Sequence, residues 1–285
     1  MLLKSFFIGG YPVIAFILLA LPFMADTPLP YWLLAFSLIA GLVFPLFLGN
    51  LFLYRTARTS ENLNFLFVIP VIMIILSIVG AIIAPTTAAD LLLPMITMLV
   101  ALIGNLFYVF WYSRFGRAEN KLLEVGRALP KFSLKDATGN VITSKEIGSQ
   151  ASLIMFYRGN WCPLCMAQIK EVAAQYRELE SRGIKIYMVS PQPEGHTGSL
   201  AKRFDVSMNF LIDEDNQAAD SLQIKAENGL PMGLQALGYD SDTVMPTVIM
   251  TNSKGKIIFA DLTDNYRVRP EPEDFLRVFD AQLEG

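Results

Sequence analysis

Cysteine is almost absent from this chain. Cys162 and Cys165 are the only two in 285 residues, and His196 is the only histidine. A closed zinc site takes four such ligands, and no second cysteine pair exists to complete one, so no metal is expected. Charge is also scarce in the first part. Up to Ser113 the only formal charges are Lys4, Asp26, Arg55, Arg58, Glu61 and Asp90, out of 23 basic and 26 acidic residues in all. The net charge of −3 comes with no basic face or stripe, which argues against nucleic acid as a partner.

Apolar residues are present in excess: 53% of the chain is hydrophobic, 17% is charged, and the mean hydropathy is +0.42. That is too apolar for an ordinary soluble domain of this length. Four windows free of charge, 5–23, 31–54, 62–84 and 91–112, are long enough to cross about 30 Å of hydrocarbon at about 1.5 Å per residue. They predict an α-helical transmembrane domain over 1–113, a basic linker over 114–130 and an α/β domain over 131–285. For the first window the alternative is a cleaved signal peptide, because Lys4 precedes the run and Ala20 and Ala25 are small. Three more windows follow it, and they favour a retained helix.

Lys4, Arg55, Arg58, Arg114, Arg117 and Lys121 all fall on the side shared by the N-terminus, the second connection and the C-terminal domain. The opposite connections, Ala25 to Pro30 and Pro85 to Asp90, carry only Asp26 and Asp90. Basic residues near span ends are held on the cytoplasmic side, so the expected protein is integral to the inner membrane with both termini cytoplasmic and the lipid bilayer as a partner. In that reducing compartment a lasting structural disulfide is not expected.

Gly49-Asn-Leu-Phe52 recurs as Gly104-Asn-Leu-Phe107, which suggests two related hairpins, with Asn50 and Asn105 as polar glue beside a small residue. Trp32, Tyr54, Tyr108, Trp111 and Tyr112 fit interfacial anchors. The windows hold neither an ionisable residue at mid-depth nor a cysteine. Proton relays therefore lack their usual residues, and thiols cannot carry reducing equivalents through the spans.

Beyond the linker the pattern alternates. A hairpin with a Gly-Asn turn is predicted over Phe132 to Thr143, and a buried strand over Ser152 to Tyr157. A helix is predicted over Ala167 to Arg182, stopped by Gly183, followed by a strand over Ile184 to Ser190. Next come a helix near Ser199 to Phe204, a strand at Asn209 to Ile212, a hairpin from Thr247 to Phe259, and a last helix over Glu271 to Leu283. The run Phe156-Tyr-Arg-Gly-Asn-Trp-Cys-Pro-Leu-Cys165 lies at a strand-to-helix turn. Two sulfurs spaced i, i+3 there can bond to each other, which points to thiol redox chemistry.

From about Leu129 to Leu283 this order resembles the thioredoxin fold, and more narrowly the peroxiredoxin-like proteins of the AhpC/TSA group. The resemblance is carried by the cysteine run, Val189-Ser-Pro-Gln192, Met245-Pro-Thr-Val248 and Asp264-Asn-Tyr-Arg-Val-Arg-Pro-Glu-Pro272. It implies a cis proline facing the cysteine pair at Pro246. It leaves two assignments of the sulfurs. In the thioredoxin-like one, Cys162 at the first helical turn has the lowered pKa and attacks, Cys165 resolves, Pro163 starts the helix and Trp161 packs over the sulfurs. In the peroxiredoxin-like one, Cys165 is the peroxide-attacking residue, Cys162 replaces the group's Thr, and Arg158 replaces the Pro after the Phe-Tyr pair as a candidate to stabilise a thiolate or leaving oxygen.

The expected function is a thiol-disulfide oxidoreductase using an external dithiol electron donor and no cofactor. The alternatives are a thiol peroxidase acting on hydroperoxides and a redox sensor coupling cysteine state to the helical domain. His196 reads as a solvated loop residue. Asp261, Asp264, Arg267, Arg269, Glu271 and Glu273 read as salt-bridged packing at the start of the last helix. The insertion Glu227 to Gly238 reads as a flank of the active face, with Met232, Leu234 and Leu237 as an apolar lip.

Overall fold

The computed structural model describes residues 1–24, 29–54, 56–204 and 206–283. Ala25, Asp26 and Arg55, used above for the first connection and for orientation, lie outside the described residues. The chain divides into two compact units. One comprises Phe6–Tyr54 and Ser60–Arg114, the other Met1–Ser5, Arg55–Thr59 and Phe115–Gly285.

The first unit is helical. It is built from α1 (Leu2–Ala20), α2 (Tyr31–Leu53), α3 (Phe65–Ile83) and α4 (Ala88–Phe107). A 3₁₀ turn, Leu21–Met24, extends α1, and a π turn, Tyr108–Tyr112, extends α4. With these extensions the four helices are long and apolar enough to cross a membrane. A capping box starts α4: Thr87 Oγ1 accepts from the Asp90 N–H, and the Asp90 carboxylate accepts from the Thr87 N–H.

Asn105 is glue of the expected kind. Its Nδ2 donates to Leu66 O at 2.5 Å, and its Oδ1 accepts from Tyr11 Oη at 2.8 Å. Gly104 is required beside it, because a Cβ there would come 2.1 Å from the Tyr11 ring. The paired motif behaves differently. Asn50 is exposed and a Cβ on Gly49 would meet nothing, so the repeat in sequence is not a repeat in packing. Tyr108 also departs from expectation. It is fully buried, stacked on Tyr112 at 5.6 Å and edge-on to Phe44 at 4.8 Å, because the π turn rotates it into the helical core.

The second unit is a sheet packed with helices. Its elements are β1 (Ser133–Lys135), β2 (Val141–Thr143), α5 (Ser144–Ile147), β3 (Ser152–Phe156), α6 (Pro163–Ala174), α7 (Tyr176–Ser181), β4 (Lys185–Ser190), α8 (Glu194–Ala201), β5 (Asn209–Ile212), α9 (Gln217–Ser221), β6 (Lys225–Ala226), β7 (Thr243–Val244), β8 (Thr247–Thr251), β9 (Ile257–Asp261) and α10 (Pro272–Leu283). The seven-stranded sheet has the order β2-β1-β5-β4-β3-β8-β9, and β6 and β7 form a separate pair. Strand β3 runs parallel to β4 and antiparallel to β8. All five of its residues are buried, as a central strand covered on both faces requires. Phe156, Val189, Leu211, Ile249 and Ile257 from successive strands meet in one core.

Three expectations are corrected here. The helix predicted through Arg182 breaks at Gln175, where the backbone leaves helical geometry between α6 and α7. The helix predicted at Ser199 starts instead at Glu194, so His196 lies on α8 rather than in a loop, with its ring stacked on Tyr239 at 4.7 Å. The stretch read as a linker is packed into the unit: the Phe115 N–H donates to Asp264 O, Leu123 is buried, and Ala128 bridges to Lys256.

Candidate functional site

Strand β3 ends at Phe156, and the five residues before Cys162 turn the chain into α6. Gly159 allows the turn: its φ is +144°, and a Cβ would come 2.7 Å from the Trp161 indole nitrogen. Gln192, just after β4, fixes the loop from below. Its Oε1 accepts from the Asn160 N–H at 2.8 Å, and its Nε2 donates to Tyr157 Oη and Thr197 Oγ1 at 3.0 and 3.2 Å. From the other side the Thr243 hydroxyl donates to Arg158 O at 3.0 Å, and the Tyr239 hydroxyl donates to Asn160 Oδ1.

Cys162 is the N-cap of α6, Pro163 opens the helix, and Cys165 lies in the first turn. Both thiols are free and buried, Cys162 at 2% exposure and Cys165 at 0%. Arg269, also buried, reaches Cys165 Sγ with Nη1 at 3.6 Å and Nη2 at 3.5 Å. Its Nη1 is also 3.0 Å from Gln168 Oε1, and its Nε donates to Tyr266 O at 2.9 Å.

These contacts differentiate the two sulfurs. Burial alone would raise the Cys165 thiol. The hydrogen bond from Cys162, the Arg269 charge and the Arg158 backbone N–H outweigh burial and bring its pKa down to about 5. Cys162 goes the other way, pushed well up by burial and by its hydrogen bond and proximity to the Cys165 thiolate. The thioredoxin-like assignment, with the lowered pKa on Cys162, is therefore corrected. Both residues sit at the helix start, but the guanidinium lies against Cys165, and one thiol donates to the other.

The remaining expected residues take other positions. Trp161 has the Arg158 guanidinium carbon 4.7 Å from its ring centroid. Arg158 is buried and donates through Nη2 to Gly229 O, which ties the cysteine loop to the Glu227 to Gly238 insertion. In that insertion Met232 and Leu237 are exposed, Leu234 is half-buried, and Leu237 O lies 3.3 Å from His196 Nε2.

Pro246 lies between β7 and β8 with its carbonyl accepting from Arg117 Nη2 at 2.5 Å. No cis peptide occurs among the described residues, so the cis expectation at Pro246 is corrected. The chain enters Pro246 from the extended β7 pairing, where the Met245 N–H donates to Ile224 O, and trans is the ordinary state of such a bond. Arg269 is the residue that sequence reasoning passed over. It stood inside a charged cluster read as helix-start packing. The signal available was its place in Asp264-Asn-Tyr-Arg-Val-Arg-Pro-Glu-Pro272, a segment already singled out for its family resemblance.

A central strand thus leads into a helix that opens on two buried thiols, one of them clasped by a buried arginine, within an α/β unit. Residues 125–260 match the model of the AhpC/TSA family. Among similar proteins, the "Putative peroxiredoxin bcp" of Helicobacter pylori (strain ATCC 700392 / 26695) is 28% identical over 98 residues, covering 34% of this chain and 64% of that protein. The "Peroxiredoxin Bcp" of Escherichia coli (strain K12) is 24% identical over 147 residues, 50% of this chain and 90% of the relative. The "Thiol-disulfide oxidoreductase ResA" of Bacillus cereus (strain ZK / E33L) is 20% identical over 164 residues, 57% and 83% of the two chains.

Proposed function

We propose that the protein is a membrane-embedded, thiol-dependent peroxidase in which Cys165 attacks and Cys162 resolves. The observation that carries this reading is the Arg269 guanidinium laid against the Cys165 sulfur, with Cys162 as hydrogen-bond donor beside it. The Cys165 thiolate takes one oxygen of a hydroperoxide, the O–O bond breaks, and the departing alkoxide or hydroxide leaves as alcohol or water on protonation. Cys165 is then a sulfenic acid. Cys162 attacks it, a Cys162–Cys165 disulfide forms, and water departs. An external dithiol donor returns the pair to two thiols. No cofactor enters this cycle.

Near-complete burial of both sulfurs favours a small hydroperoxide over a protein disulfide as the first substrate. The i, i+3 spacing of the pair supports thiol-disulfide exchange as a second reading, with the same thiolate attacking. The two readings separate in stopped flow. A reduced protein that is oxidised by hydrogen peroxide orders of magnitude faster than a free thiol is a peroxidase. One that reacts at the free-thiol rate but quickly with a peptide disulfide is an exchange enzyme.

The four apolar helices are read as spanning the inner membrane, with residues 1–5, 56–59 and the α/β unit cytoplasmic. Two observations support this: basic residues cluster on that side, and Met1–Ser5, Arg55–Thr59 and Phe115–Gly285 form one unit, as two membrane hairpins require. Protease accessibility of tags at both termini, in sealed inverted and right-side-out vesicles, tests it. Digestion from the periplasmic face would refute the orientation.

A further inference from the structure

The short connection between α2 and α3 is part of the α/β unit rather than of the helical one. Its contacts converge on one stretch of chain. The Thr59 N–H donates to Arg267 O at 2.9 Å, and Arg267 Nη1 donates back to Thr59 Oγ1 at 2.8 Å. Arg58 donates from Nε to Arg269 O and from Nη2 to Pro270 O, both at 3.2 Å. The rest of its fork is held by Glu171, at 2.5 and 3.3 Å, and by Glu271 at 3.5 Å. The connection thus lies alongside Arg267 to Pro270 and holds the backbone carbonyl of the residue whose side chain clasps Cys165.

Helix α6 completes the arrangement. Cys165, Gln168 and Glu171 follow one another at intervals of three and share a face. Cys165 and Gln168 receive the head of Arg269, and Glu171 receives Arg58, which holds the Arg269 main chain. One helix face therefore fixes the same arginine at both ends. A lone half-exposed ion pair contributes little. Arg58 instead makes five polar contacts to four residues, and their geometry, rather than their charge, matters here.

We infer that Arg58 is a positioning residue for the thiol site, and that through it the segment joining the second and third apolar helices sets where Arg269 sits against Cys165. The inference rests on the reading of Cys165 as the attacking thiolate. Any displacement of residues 56–59 is transmitted to the sulfur through three main-chain carbonyls, those of Arg267, Arg269 and Pro270.

The test uses the full-length reduced protein in detergent or nanodiscs. Thiolate absorbance is titrated against pH as a difference from C165S, so the readout needs no substrate. Arg58→Ala is expected to move the midpoint upward by on the order of one pH unit, the lower end of what a displaced cationic partner changes. Arg58→Lys, which keeps one donor group but not the fork, is expected to recover part of the shift. Where Arg58→Ala fails to fold, Glu171→Gln is read in its place, since it removes the carboxylate that takes two of the five Arg58 contacts and leaves the connection intact. A folded Arg58→Ala or Glu171→Gln protein with the wild-type midpoint would overturn the inference and leave the proposed function standing. A wild-type protein that itself titrates like a free thiol would overturn both.

Discussion

Arg269 places both terminal nitrogens of its guanidinium within 3.6 Å of the Cys165 sulfur, while Cys162, three residues earlier, receives no such contact. One buried cation thus distinguishes two thiols that are neighbours on the same helical turn. A planar fork suits this better than a point charge, because it can face the sulfur and Gln168 together.

Cys165→Ser is expected to lower peroxide turnover on the order of 10³-fold or more, the scale of losing a nucleophile. Cys162→Ser is expected to keep a fast first oxidation and then stop, with a sulfenic acid on Cys165 that dimedone traps. Single-turnover stopped flow followed by mass spectrometry separates the two. Fast oxidation in Cys165→Ser with none in Cys162→Ser would reverse the assignment.

Arg269→Met keeps the bulk of the side chain and removes the charge. The midpoint of Cys165 ionisation should rise by about one to three pH units, and oxidation by peroxide at neutral pH should slow in step with the lost thiolate. Absorbance titration and stopped flow on the same preparation check both. A slower enzyme with an unmoved midpoint would assign Arg269 to the peroxide instead.

The stability of the reduced protein should depend on pH through Cys165. Its folded-state pKa is about 5, whereas an unfolded cysteine titrates near about 8.5, so the native state binds fewer protons between those values. The contribution is therefore fully present above about pH 8.5 and is lost as pH falls toward 5. The difference in melting temperature between wild type and Cys165→Ala should shrink steadily as pH is lowered through that window.

Gly159→Ala should destabilise the protein by about 1–3 kcal/mol, since its positive φ and the indole nitrogen behind it leave no room for a methyl group. Because the same turn aims the first helical turn of α6, activity should fall more than stability accounts for. Thermal denaturation and initial rates at a temperature well below the transition provide the comparison.

In the helical unit, Gly104→Ala should cost about 1–3 kcal/mol by forcing the Tyr11 ring aside, while Gly49→Ala, with open space around it, should be close to neutral. Detergent-based unfolding of the two variants distinguishes packing from repetition of sequence.

The strand-turn-helix around the cysteines was legible because its signals are local: the apolar run of β3, the proline after Cys162 and the 3.6-residue spacing of α6. The four apolar helices were legible for the same reason. The break at Gln175 was not, since the apolar spacing runs through it and the interruption lies in the backbone. Arg269 was visible only as one charge among several. Its role depends on a contact across 104 positions of sequence, and no periodicity records that distance. Contacts of Arg58 and Thr59 with residues more than 200 positions away were still further beyond reach.

The α/β unit is finished by two pieces of chain that are synthesised before any of its strands: Met1–Ser5, where Ser5 Oγ donates to Leu230 O at 2.5 Å, and the residues around Arg58. Grafting residues 115–285 onto a different helical segment would carry the cysteines, the sheet and Arg269 intact, yet leave the carbonyls of Leu230, Arg269 and Pro270 without these partners. A transplant of the cysteine site must therefore take the connection at Arg58 with it.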